Sequence, residues 1–350
     1  MEAIISHVDS KLILSELTPD KKISNTNKAG NEIYVVDYFN APNTLREIGR
    51  LREITFRASG GGTGLSCDLD KFDTMQEPYS QLVLWDPETN SILGGYRFIL
   101  GNKVKFDSEG QPVLATSHMF RFSEKFIKEY LPHTIELGRS FVTPEYQSSK
   151  AGAKAIFALD NLWDGLTALM LIYPDMTYFF GKMTMYPEYD RTARDIILRF
   201  LDKHFHDEEG LVTAYSPLQR STDERLIDMI LKEDNLEKDY RCLKEAVRRL
   251  GTNIPPLVNS YMNSSPTMKV FSTGINDSFS DAEETAILIN FDEMNPEKRD
   301  RHINSYISDK IRQLKARFPL ITESIERRIL EKWTWRRSKL REKRNAGKQD

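Results

Sequence analysis

Six charged residues in the first half of the chain have side chains suited to acid–base chemistry. They are three arginines and three carboxylates: Arg52, Arg97, Arg139, Asp70, Asp73 and Glu136. A carboxylate can accept a proton from a reacting group, and an arginine can bind a substrate carboxylate through two parallel hydrogen bonds. Because unpaired charges are expensive to bury, three of each sign predict one balanced network. The sequence leaves open which arginine, if any, binds a substrate instead.

The elements that must position these residues alternate between strands and helices. Runs rich in β-branched and aromatic residues predict strands over 33–38, 81–85, 92–100, 134–142, 178–185 and 286–291. Apolar residues at helical spacing predict a first helix capped by Asn43, a long buried helix over 151–171, and further helices within 190–250. Residues 1 to about 30 are polar and predict an irregular lead-in, whereas the chain after 296 is helical and increasingly basic.

Two of the charged residues share one predicted strand. Glu136 and Arg139 are three positions apart, so their side chains point to opposite faces of a sheet unless a bulge intervenes. The strand prediction alone therefore does not bring these two side chains together.

The composition is that of an ordinary globular protein. The chain has 350 residues, a net charge of -3 and 39% hydrophobic residues, enough for one large domain or two small ones. Near-neutral charge gives no reason to expect nucleic-acid binding. Cys67 and Cys242 form no zinc-binding pattern, and the N-terminus has no signal-peptide pattern. We expect a cytoplasmic protein, soluble or at most peripheral to the inner face of the membrane.

A continuous motif over 136–146, Glu-Leu-Gly-Arg-Ser-Phe-Val-x-Pro-x-Tyr, resembles the ornithine N-acyltransferase family. That family is often labelled hemolysin-like, is related to the acyl-homoserine lactone synthases, and belongs to the GNAT superfamily. Further matches follow in order: Arg52-x-x-x-Phe56, Asp70-x-Phe72-Asp73, Gly95-Tyr96-Arg97, Leu162-Trp163-x-Gly165, Tyr178-x-x-Gly181, Ile254-Pro255-Pro256-Leu257-Val258-x-x-Tyr261 and Asp277-x-Phe279. The last match is one residue shorter than the family's pattern. The resemblance spans roughly residues 33–293 and is greatest to the glycine N-acyltransferase branch.

The resemblance implies an α/β (α+β) fold with a GNAT-like central sheet, mixed and mostly antiparallel, flanked by helices. It also implies a splay in the strand that carries Glu136. With the predicted elements it divides the chain into an N-terminal arm (1–30), a GNAT-like acyltransferase core (31–190), a helical insertion (191–250), the C-terminal part of the core (251–295) and a basic helical tail (296–350).

The activity implied is transfer of a long-chain, 3-hydroxylated fatty acyl group from acyl carrier protein, or from coenzyme A, to an amino acid in aminolipid synthesis. Glycine, giving a glycine lipid, is the first candidate acceptor, and ornithine, giving an ornithine lipid, is the second. We expect no bound cofactor and no metal ion. Two other hypotheses are an acetyl coenzyme A-dependent GNAT acetyltransferase and a non-catalytic, membrane-binding protein. The charged network counts against the latter, because surface binding does not need it.

Catalytic roles follow as expectations from the resemblance. Glu136 is the leading candidate for the base that accepts the amine proton, and a structural ion pair with Arg97 or Arg52 is the compatible alternative. Arg52, Arg97 and Arg139, with Phe56, are the expected substrate-binding residues.

Asp70 and Asp73 match carboxylates in the amine-substrate region of the lactone synthases. This match implies that they hold the ammonium group or relay its proton, and we count both as candidate catalytic residues. The alternative is capping of local backbone, which is common for aspartate and which we favour for Asp68.

A separate group of residues is expected to bind the acyl donor: Val142, Gln147, Lys150, Gly152 and Trp163. Residues 147–152 occupy the place of the GNAT pyrophosphate loop, where backbone N–H groups at a helix start bind phosphates. Lys150 replaces the loop's usual first glycine, which favours a single phosphopantetheine phosphate over coenzyme A. The alternative is an ordinary helix start with a solvated lysine. Trp163, with Phe157 and Leu162, is also a candidate for an acyl tunnel, although such aromatics are more often core.

The last 25 residues are strongly basic. Residues 326–350 hold ten basic and four acidic residues, with Trp333 and Trp335 among them. Such a segment suits an anionic membrane surface or the acidic acyl carrier protein, and a solvated terminal helix is the alternative.

Overall fold

A large sheet dominates the part of the chain described by the structure, a computed structural model covering residues 1–147 and 153–317, with the backbone alone for 153–156. The described strands are β1 (Lys22–Asn25), β2 (Glu32–Val36), β3 (Ser80–Asp86), β4 (Ser91–Leu100), β5 (Phe120–Phe122), β6 (Thr134–Val142), β7 (Tyr178–Met185), β8 (Val212–Ala214), β9 (Lys269–Asn276) and β10 (Ala282–Asn290). Eight of them form the sheet in the order β1-β2-β3-β4-β6-β7-β10-β9, and β5 pairs with β8 outside it.

The helices lie on both sides of this sheet. They are α1 (Ser10–Glu16), α2 (Pro42–Ala58), α3 (Lys71–Thr74), α4 (Ala153–Ile172), α5 (Arg191–Phe205), α6 (Glu224–Ile230), α7 (Leu236–Arg249), α8 (Pro256–Met262) and α9 (Pro296–Arg317). The predicted long helix, the helical region after 190 and the start of the helical tail are present in this set. The tail residues 318–350 lie outside the described residues.

The sheet is mixed and mostly antiparallel, as predicted. Its neighbouring strands are antiparallel except for β6 and β7, which run parallel. The hairpin of β3 and β4 forms as expected, and the predicted strands over 134–142 and 178–185 match β6 and β7 residue for residue.

Two local predictions are wrong. The N-terminal arm is not irregular, because it contains α1 and β1, and β1 joins the edge of the sheet. Asn43 does not cap the first helix, since Pro42 occupies its first turn and Ala41 is the cap position. The carboxylate of Glu16 instead accepts hydrogen bonds from the backbone N–H groups of Asn43 at 3.0 Å and Thr44 at 2.7 Å.

Separate apolar cores cover the two faces of the sheet. On one face, β3 and β4 residues such as Leu82 and Phe98 pack with Leu162 and Leu166 of α4 and with residues of α5. We call this the α4 face. The opposite face, which we call the α2 face, packs against α1 and α2 and against the aromatic residues around β5 and β8.

The parallel ladder between β6 and β7 is short. It joins Thr134 to Tyr178, Ile135 to Phe179 and Glu136 to Phe180, and the described pairing ends there. Both strands continue for several residues, so a gap opens between them. This is the splay that the resemblance implies for the strand carrying Glu136.

Over the described part of the chain, each helix is too short or too polar to span a bilayer.

Candidate active site

A cleft of about 890 Å³ opens where β6 and β7 separate. Residues of both strands line it, and side chains from both faces of the sheet reach it. Tyr96, Leu137, Trp163, Phe179 and Tyr261 give it an apolar wall on the α4 face. The gap therefore passes through the sheet rather than lying on one surface of it.

The wall on the α2 face is more polar and carries charges. Its residues include Thr55, Phe56, Arg139, Lys182, Thr184, Tyr186, Phe279 and Glu284. A cleft with one apolar and one charged side can hold a molecule with a hydrocarbon end and a polar end.

A β-bulge lies on β6 beside the cleft. Gly95 of β4 pairs with Phe141 and Arg97 pairs with Gly138, so Arg139 and Ser140 together face the single residue Tyr96. Arg139 has a positive φ of 49°, which is uncommon for a residue with a side chain. Such a bulge interrupts the backbone ladder and redirects a side chain. Because of it, Arg139 enters the charged network on the α2 face.

The inner part of the predicted charged network is buried away from solvent, and we call it the sealed network. Arg52 on α2 is 0% exposed, and its Nη1 lies 3.2 Å from Asp73 Oδ1. Gln81 accepts a hydrogen bond from Arg52 and donates one of 2.9 Å to Asp73. Arg97 donates to Asp73 at 3.0 Å, so this carboxylate serves two arginines.

The outer part of the network reaches the cleft through Asp70. Arg97 donates to Asp70 Oδ2 at 2.8 Å, and Arg139 Nη2 lies 3.9 Å from the same oxygen. Asp70 is also the N-cap of α3, where it forms a reciprocal capping box with Asp73. Capping and charge pairing are thus combined in these two residues.

Asp68 is the one aspartate for which we favoured capping, and the structure gives it a different partner. It is 1% exposed, and its Oδ2 lies 3.0 Å from Arg139 Nε. Asp68 therefore acts as the buried counter-charge of Arg139.

Glu136 is bound by hydroxyl groups rather than by a cation. Its carboxylate accepts hydrogen bonds from Tyr79 and, at 2.7 Å, from Thr116. Among the described residues it has no ion pair within 4.0 Å, so the expected pairing with Arg97 or Arg52 is not formed directly. Arg97 nevertheless lies over the ring of Tyr79, 5.2 Å from its centroid, which links Glu136 to the network.

Burial and pairing divide the carboxylates into two groups. Burial raises the pKa of Glu136, and it also raises the pKa of Asp68 despite the nearby arginines. Burial acts on Asp73 in the same direction, but Arg52 and Arg97 outweigh it and lower the pKa of Asp73. Burial likewise opposes the charge of Arg97, yet Asp73 and Asp70 raise its pKa above the usual range.

The predicted site residues separate according to their distance from the cleft. Phe56, Arg139, Val142, Gln147 and Trp163 line it. Arg52, Arg97, Asp73 and Glu136 are buried outside its lining, and Asp70 lies between Arg97 and Arg139. Lys150 and Gly152 fall outside the described residues.

The three residues considered for an acyl tunnel lie in different surroundings. Trp163 lies edge-on to Phe179 and Tyr261, with ring centroids 6.5 Å apart in each pair, and contributes to the apolar wall. Leu162 is fully buried in the core, and the ring of Phe157 lies under the Lys28 ammonium group.

The sequence analysis missed one charged pair in the cleft. Lys182 of β7 is bound to Glu284 of β10, and both residues line the cleft. Asn276 donates to Glu284 at 2.8 Å and Thr184 donates to it at 3.2 Å. A signal was present for Lys182, which directly follows the recognised Gly181, whereas Glu284 lies outside the strand predicted over 286–291.

Comparisons with known proteins agree with this geometry. Residues 51–156 match the family described as the acetyltransferase (GNAT) domain. A glycine N(alpha)-acyltransferase of Bacteroides thetaiotaomicron is 58% identical over 307 residues, which cover 88% of this chain and 91% of the relative. One of Phocaeicola vulgatus is 54% identical over 326 residues, which cover 92% of this chain and 100% of the relative. No solved structure matches the chain significantly. At these identities and coverages the chain belongs to the glycine N(alpha)-acyltransferase family of the GNAT superfamily, and it is an N-acyltransferase.

Proposed function

We propose that the chain transfers a long, 3-hydroxylated fatty acyl group from acyl carrier protein to the amino group of glycine, as a step in aminolipid synthesis. The observation that carries the proposal is the cleft through the splayed strands, apolar on one side and charged on the other. The two relatives named above support glycine as the acceptor.

The acyl chain fits the apolar side of the cleft. Trp163, Tyr261, Leu137 and Phe179 line this side, and burying each methylene of a fatty chain against such residues contributes about 0.8 kcal/mol. A two-carbon acetyl group would leave most of the 890 Å³ volume unfilled. The size of the cleft therefore favours a long acyl group over the acetyl coenzyme A alternative.

The thioester carbonyl fits beside the bulge. The bulge at Arg139 and Ser140 lies on the part of β6 that follows the end of its pairing with β7, so the backbone there faces the cleft instead of a paired strand. A donor at this position would stabilise the negative charge that develops on the carbonyl oxygen when the amine attacks.

Arg139 is the arginine best suited to bind the carboxylate of the acceptor. Arg52 and Arg97 are buried and held by Asp73, whereas Arg139 lines the cleft with 17% of its side chain exposed. The face of its guanidinium rests on the ring of Phe279 at 4.7 Å and its Nε faces Asp68 at 3.0 Å, so the Nη1–Nη2 edge is the part proposed to contact the carboxylate.

We propose acyl carrier protein as the acyl donor because of the sequence of the phosphate loop. Lys150 replaces a glycine there, and a lysine can pair with the single phosphate of phosphopantetheine.

The basic segment over 326–350 is proposed to contact the acidic carrier or an anionic membrane. Truncation after residue 325 should then raise the KM for the carrier and weaken vesicle co-sedimentation, more at low salt than at high salt.

The test is a matrix of donors and acceptors with the purified chain. The donors are a 3-hydroxyacyl thioester of acyl carrier protein, the same acyl group on coenzyme A, and acetyl coenzyme A. The acceptors are glycine and ornithine, with products identified by mass spectrometry. We expect N-acylglycine with a kcat/KM much higher for the carrier thioester. Preferred acylation of ornithine would overturn the acceptor, and equal use of coenzyme A would overturn the donor.

A further inference from the structure

We propose that Glu284, held in place by Lys182, is the catalytic residue that binds the amine of the acceptor and removes its proton. This inference rests on the proposed function and deepens it, because it assigns the acid–base step to a residue pair outside the charged motifs. The pair joins β7 to β10 across the cleft wall.

A general base has to reach the amine, so the candidates are the carboxylates that line the cleft. Of the acidic residues in the described ranges, Glu188 and Glu284 line the cleft. Glu188 is exposed and lies beyond the end of β7, next to Gly60 at the mouth. Glu284 is 3% exposed and sits within the sheet, which leaves it as the inner carboxylate of the cleft.

Three side chains bind the carboxylate of Glu284. Lys182, Asn276 and Thr184 all donate hydrogen bonds to it, and the Lys182 ammonium balances its charge. The side chains of both partners are on the α2 face, which is also the face where Arg139 lies in its network.

Arg139 and Glu284 line the same cleft, and both belong to its α2 face. Both affect Tyr186, whose ring also lines the cleft. Burial and then Glu284 raise the pKa of its hydroxyl to about 12, and Arg139 opposes the rise. An amino acid whose carboxylate binds Arg139 can therefore direct its ammonium group toward Glu284.

Glu136 is less suited to the same task. It is buried and lies outside the lining of the cleft, whereas Glu284 is part of that lining. We assign Glu136 a positioning role, in which it fixes Tyr79 beneath Arg97.

Glycine enters with three protons on its nitrogen, and Glu284 removes one of them. The neutral amine attacks the thioester carbon, a C–N bond forms and the C–S bond breaks. A second proton passes to the departing sulfur to give the thiol, and the third remains on the amide. Glu284 then releases its proton to solvent.

The test compares two acceptors that differ in their need for a base. Glycine is an ammonium at neutral pH, whereas the amino group of aminooxyacetate is already neutral there and the molecule keeps a carboxylate. Glu284→Gln should lower kcat with glycine by about 10²–10⁴-fold. It should lower kcat with aminooxyacetate by less than about tenfold. A purely structural role would reduce both rates by the same factor and would overturn the inference.

Two further variants keep the result interpretable. Lys182→Met combined with Glu284→Gln removes both charges, so it tests the same acceptor dependence without leaving a lone buried cation. Glu32→Gln is the matched control, because Lys22 and Glu32 form a cross-strand pair at the other edge of the sheet, and it should change neither rate. An inactive wild-type chain would contradict the proposed function, whereas a Glu284→Gln variant fully active with glycine would contradict only this inference.

Discussion

Arg52 and Lys182 are both cations held by a carboxylate in the interior, but they differ in what lies beside them. Arg52 is 0% exposed and is bound by Asp73 and Gln81, so neither solvent nor a molecule in the cleft reaches it. Lys182 is 15% exposed and faces the cleft, and within the described ranges its ammonium has one further polar contact, the Met119 sulfur at 3.9 Å. The sealed cluster can fix geometry, and the open pair can bind a substrate.

The buried charges and the charges that line the cleft therefore have different functions. The sealed residues, Arg52, Asp73, Arg97 and Glu136, connect α2, α3 and the sheet behind the cleft. The cleft residues, Arg139, Lys182 and Glu284, present charge to whatever enters. We therefore expect variants of the first group to affect stability more than substrate affinity, and variants of the second group to do the reverse.

The largest expected effect is on stability, from Arg52→Met. Removing one partner of a fully buried ion pair leaves the other charge without compensation, which typically costs about 3–5 kcal/mol. We expect a loss of that order in the free energy of unfolding, measured by urea denaturation. Arg249→Met is the control, because Arg249 pairs with Glu245 on an exposed helix surface, and it should cost less than about 1 kcal/mol. Equal losses in the free energy of unfolding would mean that the buried Arg52 ion pair contributes no more to stability than an exposed one.

Much of the fold could be predicted from the sequence, because its signals are local. Strands β6 and β7 are runs of β-branched, aromatic and other apolar residues with clear breaks at both ends, and their bounds were predicted correctly. The resemblance carried by the motif over 136–146 gave Arg139 as a substrate-binding candidate, and this residue lines the cleft. The two edges of the sheet were harder, since neither β1 nor β9 was predicted as a strand, and the predicted start of β10 was four residues late.

The residues that the sequence could not place depend on register between distant segments. Glu284 reaches Lys182 only because β10 pairs antiparallel with β7, with Glu284 opposite Thr184. Asp68 looked like a local cap, yet its partner Arg139 comes from a strand far along the chain and is redirected by a bulge. Tertiary pairing of this kind leaves no periodic pattern in one sequence.

The second prediction concerns Glu136 and the pH dependence of stability. Burial raises its pKa above the ordinary value of 4.5, so on raising the pH the unfolded chain loses this proton before the folded chain does. The folded state then binds more protons, and this group's contribution to stability falls as pH rises from about 4.5 toward the raised pKa. Its full effect is about 1.4 kcal/mol per pH unit within that window.

Glu136→Gln should remove this contribution. Urea unfolding at a series of pH values should show stability that falls less steeply with pH in the variant than in the wild type. Because Asp68 and Asp73 remain in both proteins, the difference between the two curves isolates Glu136. Parallel curves would mean that Glu136 titrates alike in the folded and unfolded chains.

The third prediction tests substrate binding at Arg139. Arg139→Lys keeps a positive charge near Asp68 but loses the planar fork that grips a carboxylate through two bonds. We expect the KM for glycine to rise roughly tenfold, since one charge-assisted hydrogen bond contributes about 1.5–3 kcal/mol and the lysine retains part of it. The KM for the acyl donor should stay within about twofold. Steady-state kinetics with each substrate varied in turn would decide, and an unchanged KM for glycine would place the carboxylate elsewhere.

The smallest expected effect comes from the aromatic rings under the two arginines. Phe279 lies beneath Arg139 at 4.7 Å in the cleft, and Phe72 lies beneath Arg97 at 5.8 Å in the sealed network. A cation over an aromatic ring at a partly exposed site contributes about 0.5–1 kcal/mol. Phe279→Leu should therefore raise the KM for glycine about two- to fivefold, because Arg139 loses the ring that orients it. Phe72→Leu makes the same chemical change but should leave this KM unchanged and lower the midpoint of urea unfolding instead. If both variants changed KM alike, the sealed network and the cleft would act as one unit, and the distinction between them would fail.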